Sequence, residues 1–132
     1  MKPGRQAVSA ALTIALTESG RLHPVSRGGS TIEEEGVATG TYRCAIAVRL
    51  VITSTNRVAA TFTVKPKGGT VSGKGSARLT TSGAYGYFGG TLAISKGTGA
   101  FAHASGNNIG ISGRFNRETF NVTVNVHGTV HL

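Results

Sequence analysis

Few side chains in this chain of 132 residues could carry out acid–base, nucleophilic or metal chemistry. His127 and His131 share one face of the last predicted strand, which separates them by about 13 Å, too far to bind one metal ion. Cys44 has no base beside it in sequence and is typical of a small buried hydrophobe, although a nucleophilic role stays open. Phosphate-binding loops, zinc motifs and nucleophile elbows are absent. The sequence therefore predicts no metal and no cofactor, and it leaves open whether the protein is an enzyme.

The acidic residues are five glutamates, because the chain contains no Asp. The one acidic run, Glu33–Glu35, is interpreted as a solvated strand or loop face, with neutralisation of a basic patch on a neighbouring copy as the alternative. Glu18 and Glu118 match no functional motif. Glu118 and Arg114 flank the last predicted turn, where a surface ion pair between them would add little stability.

The net charge of +9 favours solubility and attracts anionic partners, but it defines no specific ligand. The basic residues are spread along the chain, and aromatic residues are few. Nucleic-acid binding normally needs clustered basic residues interleaved with aromatic ones, so the sequence disfavours it. No apolar stretch approaches the ~20 residues of a transmembrane helix, which predicts no membrane span. A single cysteine excludes an intramolecular disulfide.

Alternation of apolar and polar residues predicts strands along most of the chain after residue 30. The clearest is the last, where Phe120, Val122 and Val124 alternate with polar residues in the pattern of a half-buried antiparallel strand. Gly73 and Gly75 alternate with polar residues at the positions that face the apolar side of their strand. Glycine at such positions is typical of a strand that bends sharply in a barrel or that another chain segment approaches closely. The spacing predicts an all-β protein, an antiparallel meander that closes into a barrel or forms a β-sandwich.

The first 30 residues are predicted to be an N-terminal extension, or a first strand and a loop, ahead of a barrel domain over residues 31–132. Residues 7–16 are modestly apolar and follow basic residues, as in a short signal peptide, but no good cleavage site follows. A first strand or short helix that belongs to the fold is favoured. Pro24 and the Gly28-Gly29 pair predict a loop over residues 21–30. The compartment stays open, with an extracellular location slightly favoured over a cytoplasmic one.

The segment from residue 89 to 106 reads GGTLAISKGTGAFAHASG and precedes a strand, a turn and the final alternating strand. It resembles the C-terminal half of dirigent proteins and of the related allene oxide cyclase barrels. Those families share a Gly-Thr-Gly, an aromatic residue two positions later, small residues and a Gly. The matching positions here are Gly97, Thr98, Gly99, Phe101, Ala104 and Gly106. The resemblance covers about residues 68–132, and it extends to a group of short bacterial proteins with the same elements.

The resemblance implies an eight-stranded antiparallel barrel in a homo-oligomer, a trimer or a larger assembly, whose interior holds an apolar small molecule. The candidate cavity-lining residues are Phe62, Tyr85, Tyr87, Phe88, Phe101, Phe115 and Arg114. Core packing is the alternative role for each of the aromatic residues. Dirigent activity is associated with acidic side chains in the pocket, and this chain has no Asp, so the fold carries over more readily than the chemistry.

Two functions are carried forward. In the first, the barrel binds an apolar small molecule and guides its cyclisation or coupling, which shape and desolvation can achieve with few polar groups. In the alternative, the chain is a non-enzymatic exported structural subunit that self-assembles when residues 6–17 add a strand to a neighbouring sheet. An interior packed solid with side chains would exclude the first function, and strictly monomeric behaviour would exclude the second.

Overall fold

Residues 13–132, which the computed structural model describes, form a closed barrel of antiparallel strands. The strands are β1 (Thr13–Gly28), β2 (Thr31–Gly40), β3 (Cys44–Ser54), β4 (Arg57–Pro66), β5 (Val71–Ser82), β6 (Tyr85–Gly97), β7 (Gly106–Asn116) and β8 (Val122–His131). Each strand pairs with the next, and β8 returns to pair with β1. One 3-10 turn, Gly99–Phe101, lies between β6 and β7. The predicted eight-stranded barrel is confirmed, and the sandwich alternative is wrong.

Apolar residues occupy the inward positions because successive residues of a strand point to opposite faces of the sheet. On β8, Val122, Val124 and Val126 line the interior, whereas Thr123 and Asn125 between them are exposed. On β3, Cys44, Ile46, Val48 and Leu50 line the interior in the same way, and the residues between them are exposed. Burial of these side chains supplies the main stabilising free energy, at roughly 25 cal/mol per Å² of apolar surface removed from water.

Inward glycines make room for phenylalanine rings on the neighbouring strands. A Cβ atom at Gly73 would lie 2.7 Å from Cζ of Phe62, and one at Gly113 would lie 2.8 Å from Cζ of Phe88. Neither ring could keep its position if the glycine carried a side chain. Glycine is therefore required at these positions so that the phenylalanine rings can approach the strand closely. The strands continue through these glycines.

One end of the barrel, here called the plug end, is closed by the segment between β6 and β7. Phe101 of the 3-10 turn is buried there with Val71 and Ala104. Its ring meets Tyr42 edge to face, with ring centroids 5.5 Å apart. An edge-to-face aromatic pair adds stability beyond the area that it buries, so this contact holds the closing segment in place.

The opposite end, the hairpin end, carries the turns that connect β1 to β2, β3 to β4, β5 to β6 and β7 to β8. Phe120 has a backbone φ of 61°, which is rare for a residue with a side chain. Its ring stacks on Phe115 with centroids 6.2 Å apart, and the Arg27 guanidinium lies 4.3 Å from its centroid. These contacts offset the backbone strain and fix Phe120 over this end of the barrel.

The N-terminal half of the chain differs from the sequence prediction at one place. Residues 21–28, predicted to be a loop, are the second half of β1. The register with β2 shifts between Pro24 and Ser26, so the proline lies at a β-bulge, where a residue without an N–H can stay within a strand. The predicted signal-peptide alternative falls mostly on residues 1–12, outside those described, while residues 13–16 begin β1. No helix within residues 13–132 is long and apolar enough to cross a membrane.

The glycine–aromatic contacts predict a position-dependent cost of alanine. At Gly86 a Cβ atom would overlap the ring of Phe115, whereas at Gly89, on the outer face of the same strand, it would meet only the Ile111 carbonyl oxygen at 3.9 Å. We expect Gly86→Ala to lower the free energy of unfolding by about 1–3 kcal/mol through overpacking. Gly89→Ala should change it by no more than about 0.5 kcal/mol. Urea denaturation measures both, and equal effects would contradict the role assigned to Gly86.

Candidate ligand cavity inside the barrel

The interior of the barrel is not packed solid. It encloses a cavity of about 270 Å³ whose wall comes from all eight strands. The wall is apolar except for Glu18, Tyr42, Cys44 and Ser76. At the plug end the buried Phe101 closes it, while Ile52, which lines the cavity at the hairpin end, is 40% exposed. The cavity wall therefore reaches the protein surface at the hairpin end.

Four of the aromatic residues predicted to line a cavity do so. Phe62, Phe88, Phe101 and Phe115 all contribute to the wall. They come from different elements, β4, β6, the 3-10 turn and β7, and closure of the barrel brings them together. Their contact with a ligand stays a prediction.

The other three predicted residues lie elsewhere. Tyr85, Tyr87 and Arg114 are exposed and do not belong to the cavity wall. The Arg114 guanidinium lies 4.9 Å from the centroid of the Tyr85 ring, and Arg114 faces Tyr87 across the β6–β7 ladder. Their place is corrected from the cavity to the outer face, because their parity on β6 and β7 is opposite to that of Phe88 and Phe115.

Glu18 is the one ionisable carboxyl in the cavity wall. Its side chain is 7% exposed, and its Oε2 accepts a 2.6 Å hydrogen bond from the backbone N–H of Tyr42. Its Oε1 has no hydrogen-bond partner among the described residues. Burial raises the pKa of Glu18, and the hydrogen bond from Tyr42 offsets part of that effect. The site thus holds a carboxyl with one oxygen fixed and one oxygen unpaired.

Cys44 lies in the wall near Glu18 and is buried as a free thiol. Burial, together with the negative charge of Glu18, raises the pKa of Cys44 to about 11. The reactive form of cysteine is the thiolate, which this environment suppresses at neutral pH. The structure therefore favours the interpretation of Cys44 as a small buried side chain over a nucleophile.

Glu34 is a second buried carboxyl, and its place contradicts part of the sequence interpretation. Glu33 and Glu35 are exposed, as expected for a solvated face, but Glu34 points inward on β2 with Ile32 and is 1% exposed. Neither of its oxygens has a hydrogen-bond partner within residues 13–132. Burial raises the pKa of Glu34 to about 7, although the positive charge of Arg27 opposes this.

Sequence reasoning missed both buried carboxyls, and a signal for them was present. Once the β1 and β2 parities are known, Glu18 shares a face with Leu16 and Leu22, and Glu34 shares one with Ile32 and Ala38. A polar residue on an apolar strand face is the usual mark of a functional position. His127, on the outer face of β8, takes no part in the cavity, and no group of metal-binding side chains occurs in the described part of the chain.

The buried Glu34 carboxyl predicts that stability falls as pH rises. Its pKa is higher in the folded protein than in the unfolded chain, so its contribution is complete below pH 4.5 and is lost as pH approaches and passes about 7. The loss amounts to about 3 kcal/mol at most. We expect Glu34→Gln to reduce this pH dependence between pH 4.5 and 8 in denaturant unfolding and to leave the part due to Glu18, whose pKa is also raised by burial. Glu35→Gln, exposed on the same strand, is the control, and an unchanged slope in Glu34→Gln would contradict the prediction.

Comparison with known proteins supplies no relative for this chain. No family model, no curated protein and no solved structure matches it. Its function must therefore be inferred from the cavity and the two buried carboxyls.

Proposed function

We propose that this barrel binds an apolar small molecule in its interior and guides the cyclisation or coupling of that molecule, in the manner of the dirigent and allene oxide cyclase-like proteins that its second half resembles. The observation that carries the proposal is the open cavity of about 270 Å³ with its nearly uniform apolar wall. Small-molecule sites typically have this character, with a few polar groups that set the orientation of the ligand.

The shape of the cavity supports a guiding role. Phe62, Phe88 and Phe115 place rigid rings on the wall, and the inward glycines on the neighbouring strands hold those rings close to the sheet. A flexible apolar molecule confined between such rings loses most of its conformers. Confinement of this kind accelerates an intramolecular reaction and selects its stereochemistry without a dedicated catalytic motif.

Polar groups at the plug end support a defined ligand orientation. Glu18 presents an unpaired Oε1 from a wall that is otherwise almost entirely aliphatic and aromatic. An unpaired buried carboxyl oxygen is costly, at roughly 1–3 kcal/mol, and a ligand that pairs with it gains that amount. The ligand would therefore place its polar group toward the plug end and its apolar body toward the hairpin end.

Binding is tested by filling the cavity. Ala60 lies in the wall and Ala45 is exposed on the outer face of β3. We expect the unmodified protein to bind N-phenyl-1-naphthylamine, a neutral apolar fluorophore, with increased emission at one site per barrel. Ala60→Phe should weaken that binding at least about tenfold because the new ring occupies the cavity. Ala45→Phe should leave it unchanged. Absence of binding by the unmodified protein would overturn the proposal.

One observation favours the alternative, a self-assembling structural subunit. β1 pairs with β8 from Thr13 onward, but its ladder with β2 begins only at Glu18. The first residues of β1, from Thr13 to Leu16, therefore have a ladder partner on one side. An edge of this kind can accept a strand from a neighbouring molecule. Residues 6–12, the rest of the segment predicted to add a strand, lie outside those described.

The alternative predicts concentration-dependent association. Light scattering coupled to size-exclusion chromatography, from micromolar to millimolar protein, should show oligomers if the open stretch of β1 is used. Ala15→Lys, on the exposed face of that stretch, should favour the monomer, because edge lysines oppose strand addition. Thr129→Lys on β8, which is paired with β1 at that level, is the matched substitution and should have no effect. A monomer throughout the concentration range would exclude this function.

A further inference from the structure

The interior of the barrel holds acidic groups without basic partners in the cavity wall. Three carboxyl oxygens lack a hydrogen-bond partner among the described residues, Oε1 of Glu18 and both oxygens of Glu34. No Lys, Arg or His within residues 13–132 contributes to the cavity wall. The chain as a whole carries a net charge of +9, so these buried acidic groups lie inside a basic molecule.

The two carboxyls are compensated to different degrees. Glu34 lies in the hairpin half of the barrel and feels the positive charge of Arg27, whose guanidinium is held over Phe120. Glu18 lies toward the plug end, where the backbone N–H of Tyr42 is its one hydrogen-bond donor within residues 13–132. Glu18 lines the cavity, and Glu34 does not. The uncompensated group that a ligand can reach is therefore Glu18.

The chemistry of a fitting ligand follows from these groups. A ligand carboxylate would bring a like charge beside Glu18 in a medium of low dielectric constant. A neutral hydroxyl could donate one hydrogen bond. A protonated amine brings up to three donors and the opposite charge, and charge-assisted hydrogen bonds are about twice as strong as neutral ones.

Aromatic rings near Glu18 add to the preference for a cation. Tyr42, whose N–H holds Glu18, and Phe101 both line the cavity and contact each other at the plug end. Ring faces within about 6 Å attract a positive charge. The carboxyl and the rings together provide the two kinds of group that usually recognise an ammonium head.

We infer that the cavity takes an apolar amine, with its ammonium group on Glu18 at the plug end and its hydrocarbon body along the apolar wall. The inference rests on the proposed function, that the cavity binds an apolar molecule, and it names the class of that molecule. Glu34 stays outside the cavity wall and does not contact the ligand.

Three ligands with one common ten-carbon chain test the inference: decylamine, decanol and decanoate. We expect decylamine to bind at least about tenfold more tightly than decanol at pH 7, the effect of one charge-assisted hydrogen bond. Decanoate should bind most weakly. Displacement of N-phenyl-1-naphthylamine gives the affinities, and the positive outer surface of the protein opposes nonspecific binding of the amine.

Glu18→Gln should abolish the preference for decylamine over decanol and leave the affinity for decanol nearly unchanged. Glu118→Gln, an exposed glutamate near the hairpin end, is the matched control and should keep the preference. Thermal unfolding establishes that Glu18→Gln is folded.

The outcomes separate the inference from the proposed function. Equal binding of decylamine and decanol, or a preference that survives in Glu18→Gln, overturns the inference and leaves the cavity as an apolar binding site. Failure of all three ligands and of the fluorophore overturns both. A preference for the amine that depends on Glu18 supports both.

Discussion

The ladder between β1 and β8 closes the sheet, and most other features of this protein depend on it. The two strands pair without interruption from Thr13 with His131 to Leu22 with Val122. Closure leaves every inward side chain facing a common interior, so residues far apart in sequence share one apolar volume. It also gives the central strands partners on both sides, which removes most of the unpaired edges that a sheet of such apolar strands would expose.

The size of the interior depends on the residues that line it. Eight strands enclose a volume that side chains can nearly fill. In this barrel glycine occupies several inward positions, and phenylalanine rings from neighbouring strands lie over some of them, as Phe62 does over Gly73. The rings occupy the space that a side chain at these glycine positions would take, and the cavity lies inside the wall to which the rings belong. The same glycines thus permit both the close packing of the wall and the open volume inside it.

The two buried carboxyls oppose stability and are for that reason informative. A barrel with leucine or glutamine at the positions of Glu18 and Glu34 would avoid the desolvation of an unpaired acid. Glu18 keeps one oxygen on the Tyr42 backbone and one oxygen unpaired at the cavity wall. Glu34 is held in the interior with an elevated pKa near neutrality. An unpaired polar group in an apolar cavity is a common property of binding sites, where the ligand completes the pairing.

The sequence by itself determined the strands and their inward faces, because a period of two is a local property that each segment carries within itself. It identified the alternation of β8 and the small residues inside β5. It did not determine the run of β1 through Pro24, since a bulge makes that proline acceptable only when β2 pairs beside it. Sequence reasoning also wrongly assigned Tyr85 and Arg114 to the cavity. Near a turn, the residue type alone does not show whether an aromatic or basic side chain faces the interior or the solvent.

Only the tertiary structure decided which polar residues are buried inside the barrel. Glu34 is one of three consecutive glutamates, and the register of β2 against β1 and β3 sends that one inward and its neighbours to solvent. Glu18 becomes a candidate site residue only because the ladder between β1 and β2 brings the Tyr42 N–H to its carboxyl and closure sets Phe101 nearby. These relations join strands across the whole barrel, and no local pattern in the chain contains them.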